Sequence, residues 1–586
     1  MPYLDTPEGQ PDDKVAWGSD VAAQMLRLCG FKYAALNPGA SYRGLHDSLV
    51  NHLGNRDPGM LLCLHEDHVV GIAHGYAKAT DQPMAAIVHS NVGLMHTHMG
   101  IFNAYCDRVP MMIVGATGPV DAHQRRPWID WIHTSADQAG IVRDIIKFDN
   151  LPTSAEAIVD AMAKANIATR TEPCAPVYIV LDAGLQEQSL DKVPALPDMS
   201  RFQPPAAPRA QKADIDRAAA MLKAAKRPLL LYGRGSRSQA EWDARVQLAE
   251  TLGACVMTDL KNGAMFPTDH PAHVIEPFNQ PGKDILDLIA EADLVIAFEW
   301  VDLNGSISPP KGSNFSGKVI SVGLDHHLHN GAHMVYQGTA PTDLLISASP
   351  ASVVDDLNAT LGKTKKEPWR AAIRKPFKPG DGSRIRMQDV AQALRENVPD
   401  PDKISFAALA RQWPCDQWPW RDPGAYMGKD GGGGIGSGPS LSVGVALANA
   451  DMGRPTVTVL GDGDFVMGNH ALWTAVRHKI PLLVLINNNQ SYFNDELHQE
   501  GVAKRRNRPV GNRWIGLAMD KPYVDIAKLA EAQGATGIGP IKTLADLPDA
   551  IRKGVDVMMK GGVCVIDIHV PPGTERNTNS TGLRNT

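Results

Sequence analysis

The stretch that opens with the apolar run VTVL and ends at Asn489 constrains this chain more than any other. VTVL is apolar and β-branched and reads as a buried strand. Gly461-Asp462-Gly463-Asp464 follows, where two glycines let the backbone turn sharply and approach a ligand. NHALWTAVRHK has helical spacing, and Pro481 closes it ahead of a second apolar strand, LLVLI. A right-handed βαβ crossover returns the chain beside the first strand. The spacing therefore predicts that Asp462 and the run Asn487-Asn488-Asn489 meet at the carboxyl edge of a parallel sheet, where open α/β folds bind ligands. A carboxylate, a carboxamide and exposed backbone amides suit Mg²⁺ holding a diphosphate rather than a thiolate-seeking metal. The bland alternative is a β-turn-α unit that binds nothing.

Bulk properties exclude several classes. A length of 586 residues predicts three or four domains. A net charge of −6 is small for that size and predicts no nucleic-acid or membrane-surface partner. No apolar run is long enough to span a bilayer, and the polar, acidic N-terminus is unlike a signal peptide. Seven scattered cysteines without CxxC pairing predict reduced thiols in a cytoplasmic protein.

Three α/β blocks are separable by their connectors. Residues 14–190 carry the strands YAAL, MAAIVHS, MMIVGAT and PVYIVLD between helical segments. A Pro-rich crossing leads to residues 208–360, where RPLLLYGRGS, a helix through Gln247–Leu252, ACVMTDL, ADLVIAFEW and KVISVGLD suggest a Rossmann-like domain. After a Lys- and Pro-rich connector, residues 388–570 hold the Asp462 motif, and the polar residues 571–586 read as a flexible tail.

The GDG motif, the intervening βαβ unit and the asparagine run together resemble the cofactor signature of thiamine-diphosphate enzymes. The segment LHEDHVVGIAHGYAKATDQPMAAIVHSNVG is similar to benzoylformate decarboxylase, within the group that includes acetolactate synthase and 2-hydroxyacyl-CoA lyase. The resemblance implies α/β architecture throughout. Two thiamine-diphosphate-binding, doubly wound parallel-sheet domains (pyrimidine-binding first, diphosphate-binding last) flank the Rossmann-like middle one. It implies thiamine diphosphate and Mg²⁺ as cofactors, the metal held by Asp462, Asn489 and the backbone carbonyl of Ser491. Asp464 and Asn488 are the alternatives that three consecutive asparagines and a second Asp leave open. Gly39, Gly434, Gly461, Gly463, Asp464 and Tyr492 are implied cofactor contacts, and Ile435 is the apolar wedge beneath the two rings.

The chemistry needs a carboxylate beside the aminopyrimidine to promote its imino tautomer. Glu66, heading a helix after the strand LLCL, matches that position; the null is a surface Glu favoured by the helix dipole. His89 matches the substrate-facing histidine, with a strand-end cap as its null. Where the resemblance expects Asn-Pro-Gly-Ser, this chain has Asn37-Pro38-Gly39-Ala40 and then Ser41, which weighs against an aryl 2-oxo acid. Asp495, with Glu496 beside it, either protonates a product carbanion or opens a solvated helix. Lys504, Arg505, Arg506 and Arg508 face solvent or hold an anionic substrate.

Two metal readings are set aside. His65-Glu66-Asp67-His68 lacks the i, i+4 histidines of a zincin, and His326, His327, His329 and His333 read as a polar loop. The middle-domain GRGS lacks a third glycine, so no FAD is expected. The implied activity is cleavage or formation of a C–C bond next to a carbonyl. A 2-oxo acid decarboxylase/carboligase, acetolactate synthase-like, leads; a 2-hydroxyacyl-CoA lyase that depends on the tail is the alternative. Partners are then a small-molecule 2-oxo acid or 2-hydroxyacyl-CoA and further copies of this chain. A homodimer or homotetramer would form active sites between subunits. An NAD-dependent oxidoreductase and a non-enzymatic scaffold are the rivals from other classes.

Overall fold

The computed structural model describes residues 2–279, 281–308, 315–328, 338–374, 382–410 and 413–570. Its frame is three parallel sheets. The first contains β1 (Tyr33–Leu36), β2 (Gly59–Leu62), β3 (Ala85–Ile87), β4 (Met111–Thr117), β5 (Phe148–Asn150) and β6 (Pro176–Asp182), in the order β2-β1-β3-β4-β6-β5. The middle sheet holds β7 (Pro228–Tyr232), β8 (Cys255–Thr258), β9 (Leu294–Phe298), β10 (Lys318–Val322) and β11 (Leu344–Ile346), ordered β11-β10-β9-β7-β8. The third holds β12 (Ser405–Phe406), β13 (Thr456–Gly461), β14 (Leu482–Asn488), β15 (Thr536–Ile541) and β16 (Val563–His569), ordered β12-β13-β14-β16-β15. Strands buried on both faces read as the unbroken apolar runs seen in the sequence.

The first and third sheets are locked together by helices. α1 (Glu66–Thr80) follows β2, and α2 (Asn91–Asp107) follows β3. In the third block α3 (Gly438–Asp451) precedes β13, α4 (Asp462–Gly468) follows it, and α5 (Phe493–Arg505) follows β14. α1 crosses α3 with backbones almost touching: a Cβ on Gly75 would lie 2.0 Å from the Leu441 carbonyl oxygen. Val70, Ile72, Val443, Ala446 and Leu447 thus share one buried core.

Beside this crossing lies a buried ionic knot. Lys78 donates to Asp107 and to the carbonyl of Lys429, and His74 pairs with Asp107 at 2.8 Å. Burial pushes the Asp107 carboxyl up, but Lys78 and His74 outweigh it and hold it at about 2. The middle domain is pinned by Arg237, whose guanidinium donates to the carbonyls of Lys78, Asn262, Ala264 and Pro423.

One local expectation is corrected and another is extended. GDGD is not a free turn: Asp462 opens α4, where a carboxylate complements the helix dipole, and the predicted helix over residues 469–479 shortens to Ala471–Arg477. The middle-domain helix ending at Leu252 begins at Gln239, capped by the Ser238 side chain. The seven cysteines are free thiols, and among the described residues no helix is long and apolar enough to cross a membrane. The tail 571–586, with any role over a CoA ester, lies outside the described residues, as do His329 and His333.

Candidate active site

β13 and β14 are neighbours with Gly461 opposite Asn487, so the two motifs end at one sheet edge. Asp462 is buried; its Oδ1 accepts the Gly463 amide at 3.0 Å and its Oδ2 the Ser491 amide at 3.2 Å. The Ser491 amide also lies 2.9 Å from Oδ1 of Asn489. Asn488 turns the other way: its Nδ2 donates to Asp567 at 2.8 Å and its Oδ1 accepts the Gln490 amide. Of the two, only the Asn489 side chain faces the cavity with Asp462.

That cavity, about 580 Å³, is lined by Gly461, Asp462, Gly463, Asp464, Asn489, Ser491, Tyr492, Ile435 and Asp495. Gly463 is required by contact, because a Cβ there would come within 2.6 Å of the Tyr492 ring. Asp464 is already committed: its Oδ1 accepts the amides of Gly436 and Gly438 and so anchors the glycine loop. Gly434 is turned toward Met99 of α2. Glu496 is buried against Ser491, whose hydroxyl donates to it, and pairs with Arg513 at 3.3 Å, whereas Asp495 is exposed at the cavity rim. Lys504, Arg505, Arg506 and Arg508 are exposed.

Asp430 was not legible as a site residue, although it heads the glycine loop. Burial, then Asp464 and Asp107, push its carboxyl up to about 7. Burial likewise pushes Asp462 up to about 6, against the pull of the amides that it accepts. Carboxylates crowded on one cavity with a carboxamide beside them make a donor set of hard oxygens. It fits Mg²⁺ and does not fit a thiophilic metal.

Glu66 and His89 do not line this cavity. They form a second, separate cluster with Gly39. Glu66 is half-buried at the start of α1, after His65, whose Nδ1 accepts the Asp67 amide as the helix cap. A Cβ on Gly93 would meet both Glu66 and His89, and one on Gly39 would sit 2.6 Å from the His89 ring. Ser41 hydrogen-bonds His89 Nδ1 at 2.7 Å. His65, Glu66 and His96 form the one cluster of three potential metal ligands among the described residues, but the lone pair of His65 Nδ1 is spent on the helix cap. His68, the sequence neighbour, is buried with burial holding it down at about 3. His327 bonds Ser347 at 2.6 Å.

In the middle domain, GRGS follows β7 and lines a cleft of about 330 Å³ at the point where the strand order reverses.

These features define a cofactor-dependent α/β enzyme, and comparison with known proteins places it. The chain matches the family descriptions "Thiamine pyrophosphate enzyme, N-terminal TPP binding domain" over residues 16–141, its central domain over residues 215–341, and its C-terminal TPP binding domain over residues 408–568. It belongs to the thiamine pyrophosphate enzymes. It is 23% identical over 584 residues to the acetolactate synthase large subunit of Haemophilus influenzae, covering 94% of each chain. It is 27% identical over 463 residues to "Probable 2-ketoarginine decarboxylase" of Pseudomonas aeruginosa, covering 77% of each. The structure of benzoylformate decarboxylase from Polynucleobacter necessarius shares the fold, with a TM-score of 0.79 at 19% identity, over 96% of this chain and 100% of that one.

Proposed function

We propose that this enzyme decarboxylates a 2-oxo acid and joins or releases the resulting acyl unit, using thiamine diphosphate and Mg²⁺. One observation carries the reading: Asp462, Asn489 and Ser491 converge at one sheet edge on a cavity rich in carboxylate oxygens. Asp462, Asn489 and the Ser491 carbonyl would hold the Mg²⁺ and, through it, the diphosphate; Ile435 would support the rings. When bound, thiamine diphosphate supplies a carbon nucleophile and an electron sink for the carbanion left by C–C cleavage.

The chain's own groups handle the protons. Glu66 would share a proton with the aminopyrimidine. His89, held below its ordinary pKa chiefly by burial, is neutral at pH 7 and would exchange a proton with the substrate oxygen. Asp495 would serve at the cavity rim. The relatives described as acetolactate synthase, 2-ketoarginine decarboxylase and benzoylformate decarboxylase favour 2-oxo acids as the substrate class.

Glu66 stands apart from the Asp462 cavity, so one chain offers two half-sites. Exposed Leu64, Met95, Met99, Ile435 and Met467 lie on and beside the helices and loop that carry these halves. A second copy of the chain would cover them and bring the Glu66 half of one subunit to the Asp462 half of the other. Calorimetry with thiamine diphosphate and Mg²⁺, followed by a panel of 2-oxo acids, tests the proposal. Absence of Mg²⁺-dependent cofactor binding would refute it.

A further inference from the structure

His133 packs against His89 with ring centroids 4.6 Å apart at 67°. The loop that carries it is held on both sides. The Gly118 amide donates to the His133 carbonyl at 3.2 Å, and Asn91 Nδ2 donates to the Ile132 carbonyl at 3.1 Å. Asp130 braces the same turn through Arg126 at 2.8 Å and accepts the Thr134 hydroxyl on its backbone carbonyl. The His133 Nδ1 is buried without a hydrogen-bond partner. An unsatisfied buried nitrogen costs stability, so its retention beside another imidazole calls for a use. On His89 the geometry divides the two nitrogens: Nδ1 is occupied by Ser41 at 2.7 Å, which leaves Nε2 for proton exchange.

We propose that His133 is a positioning residue that, together with Ser41, sets the protonation state of His89 and so tunes the proton transfer that His89 performs. The inference rests on the reading that His89 faces the substrate. Two imidazoles in ring contact oppose simultaneous protonation. Four influences bear on His89: burial and the charge that His133 can carry push its pKa down, Glu66 pulls it up, and the Arg126 guanidinium pushes it down. Ser41 holds Nδ1 in a hydrogen bond whichever tautomer is present, because its hydroxyl can donate or accept. Taking away the His133 ring removes one downward push, so the His89 pKa rises.

The test is histidine ¹³Cε1 NMR titration of the holoenzyme alongside pH profiles of kcat/KM, for the wild type, His133→Leu, His133→Asn and Ser41→Ala. The His89 titration midpoint is expected to move to higher pH in both His133 variants, and the acidic limb of kcat/KM to move with it. A loop with only a scaffolding role would lower kcat or raise KM without moving that limb. An unmoved His89 midpoint in both His133 variants overturns the proposal. A midpoint that moves while the limb stays fixed upholds the pairing and instead removes His89 from the kinetically important proton transfer. Ser41→Ala, which leaves the His133 contact in place, removes the Nδ1 hydrogen bond and is expected to move the His89 midpoint as well; an unmoved midpoint would overturn the part assigned to Ser41.

Discussion

The backbone amide of Ser491 donates to Oδ2 of Asp462 across 3.2 Å, tying the loop after β14 to the first residue of α4. The hydrogen bond fixes the carboxylate beside Asn489 with no side chain spent on the task. The divalent ion proposed for this site would find its oxygens already placed, so little ordering entropy would oppose binding.

Buried carboxylates make the cofactor-free protein sensitive to pH. Asp430 and Asp462 have folded pKa values of about 7 and about 6, above the 3.8 of an unperturbed Asp. Between those limits the folded state binds more protons than the unfolded one, so their contribution to stability is lost as pH rises from about 4 to about 7. At about 1.4 kcal/mol for each pKa unit, the loss should be on the order of several kcal/mol. Chemical denaturation across pH should show a shallower slope in Asp430→Asn and Asp462→Asn, and in wild type saturated with Mg²⁺ and thiamine diphosphate. An equal slope in all four sinks the prediction.

Glu66→Gln should reduce turnover by at least about 10²-fold, the scale of a lost general acid–base group. Cofactor affinity, measured by calorimetry, should change little, because the Asp462 half of the site is intact. Turnover near wild type would remove Glu66 from the mechanism.

The proposed sharing of active sites between subunits predicts complementation. Glu66→Gln and Asp462→Asn homo-oligomers should each be nearly inactive. After mixing and reassembly, about a quarter of wild-type activity should return, since half the dimers are mixed and each mixed dimer rebuilds one intact site. No recovery, despite mixed dimers seen by native mass spectrometry, would place both residues in one chain's site.

Gly39→Ala tests the contact that seats His89. A Cβ there would lie 2.6 Å from the imidazole Cγ, so ring or loop must shift. Such overpacking costs about 1–3 kcal/mol. The melting temperature should fall and kcat should drop, with cofactor affinity unchanged; an unaffected kcat would show that His89 needs no such seat.

The sequence by itself determined the cradle. Apolar strands on either side of GDGD and the asparagine run, joined by one crossover, allow little else than Asp462 and Asn489 at a common sheet edge, because parallel neighbours must align their carboxyl ends. The place of Glu66 at the head of a helix shortly after β2 was legible for a similar local reason, while the role proposed for it comes from the family resemblance. Tertiary structure decided the rest. It turned Asn488 to Asp567 and left Asn489 in the cavity, spent Asp464 on the glycine loop, and buried Glu496 under Ser491. It also brought Ser41 and His133 onto His89 from separate loops. Contacts across tens of residues leave no periodic trace in a single chain. Strand-to-strand spacing is set by backbone geometry and can be read directly; the direction of a side chain depends on which neighbour reaches it, and that is fixed only when the domains pack.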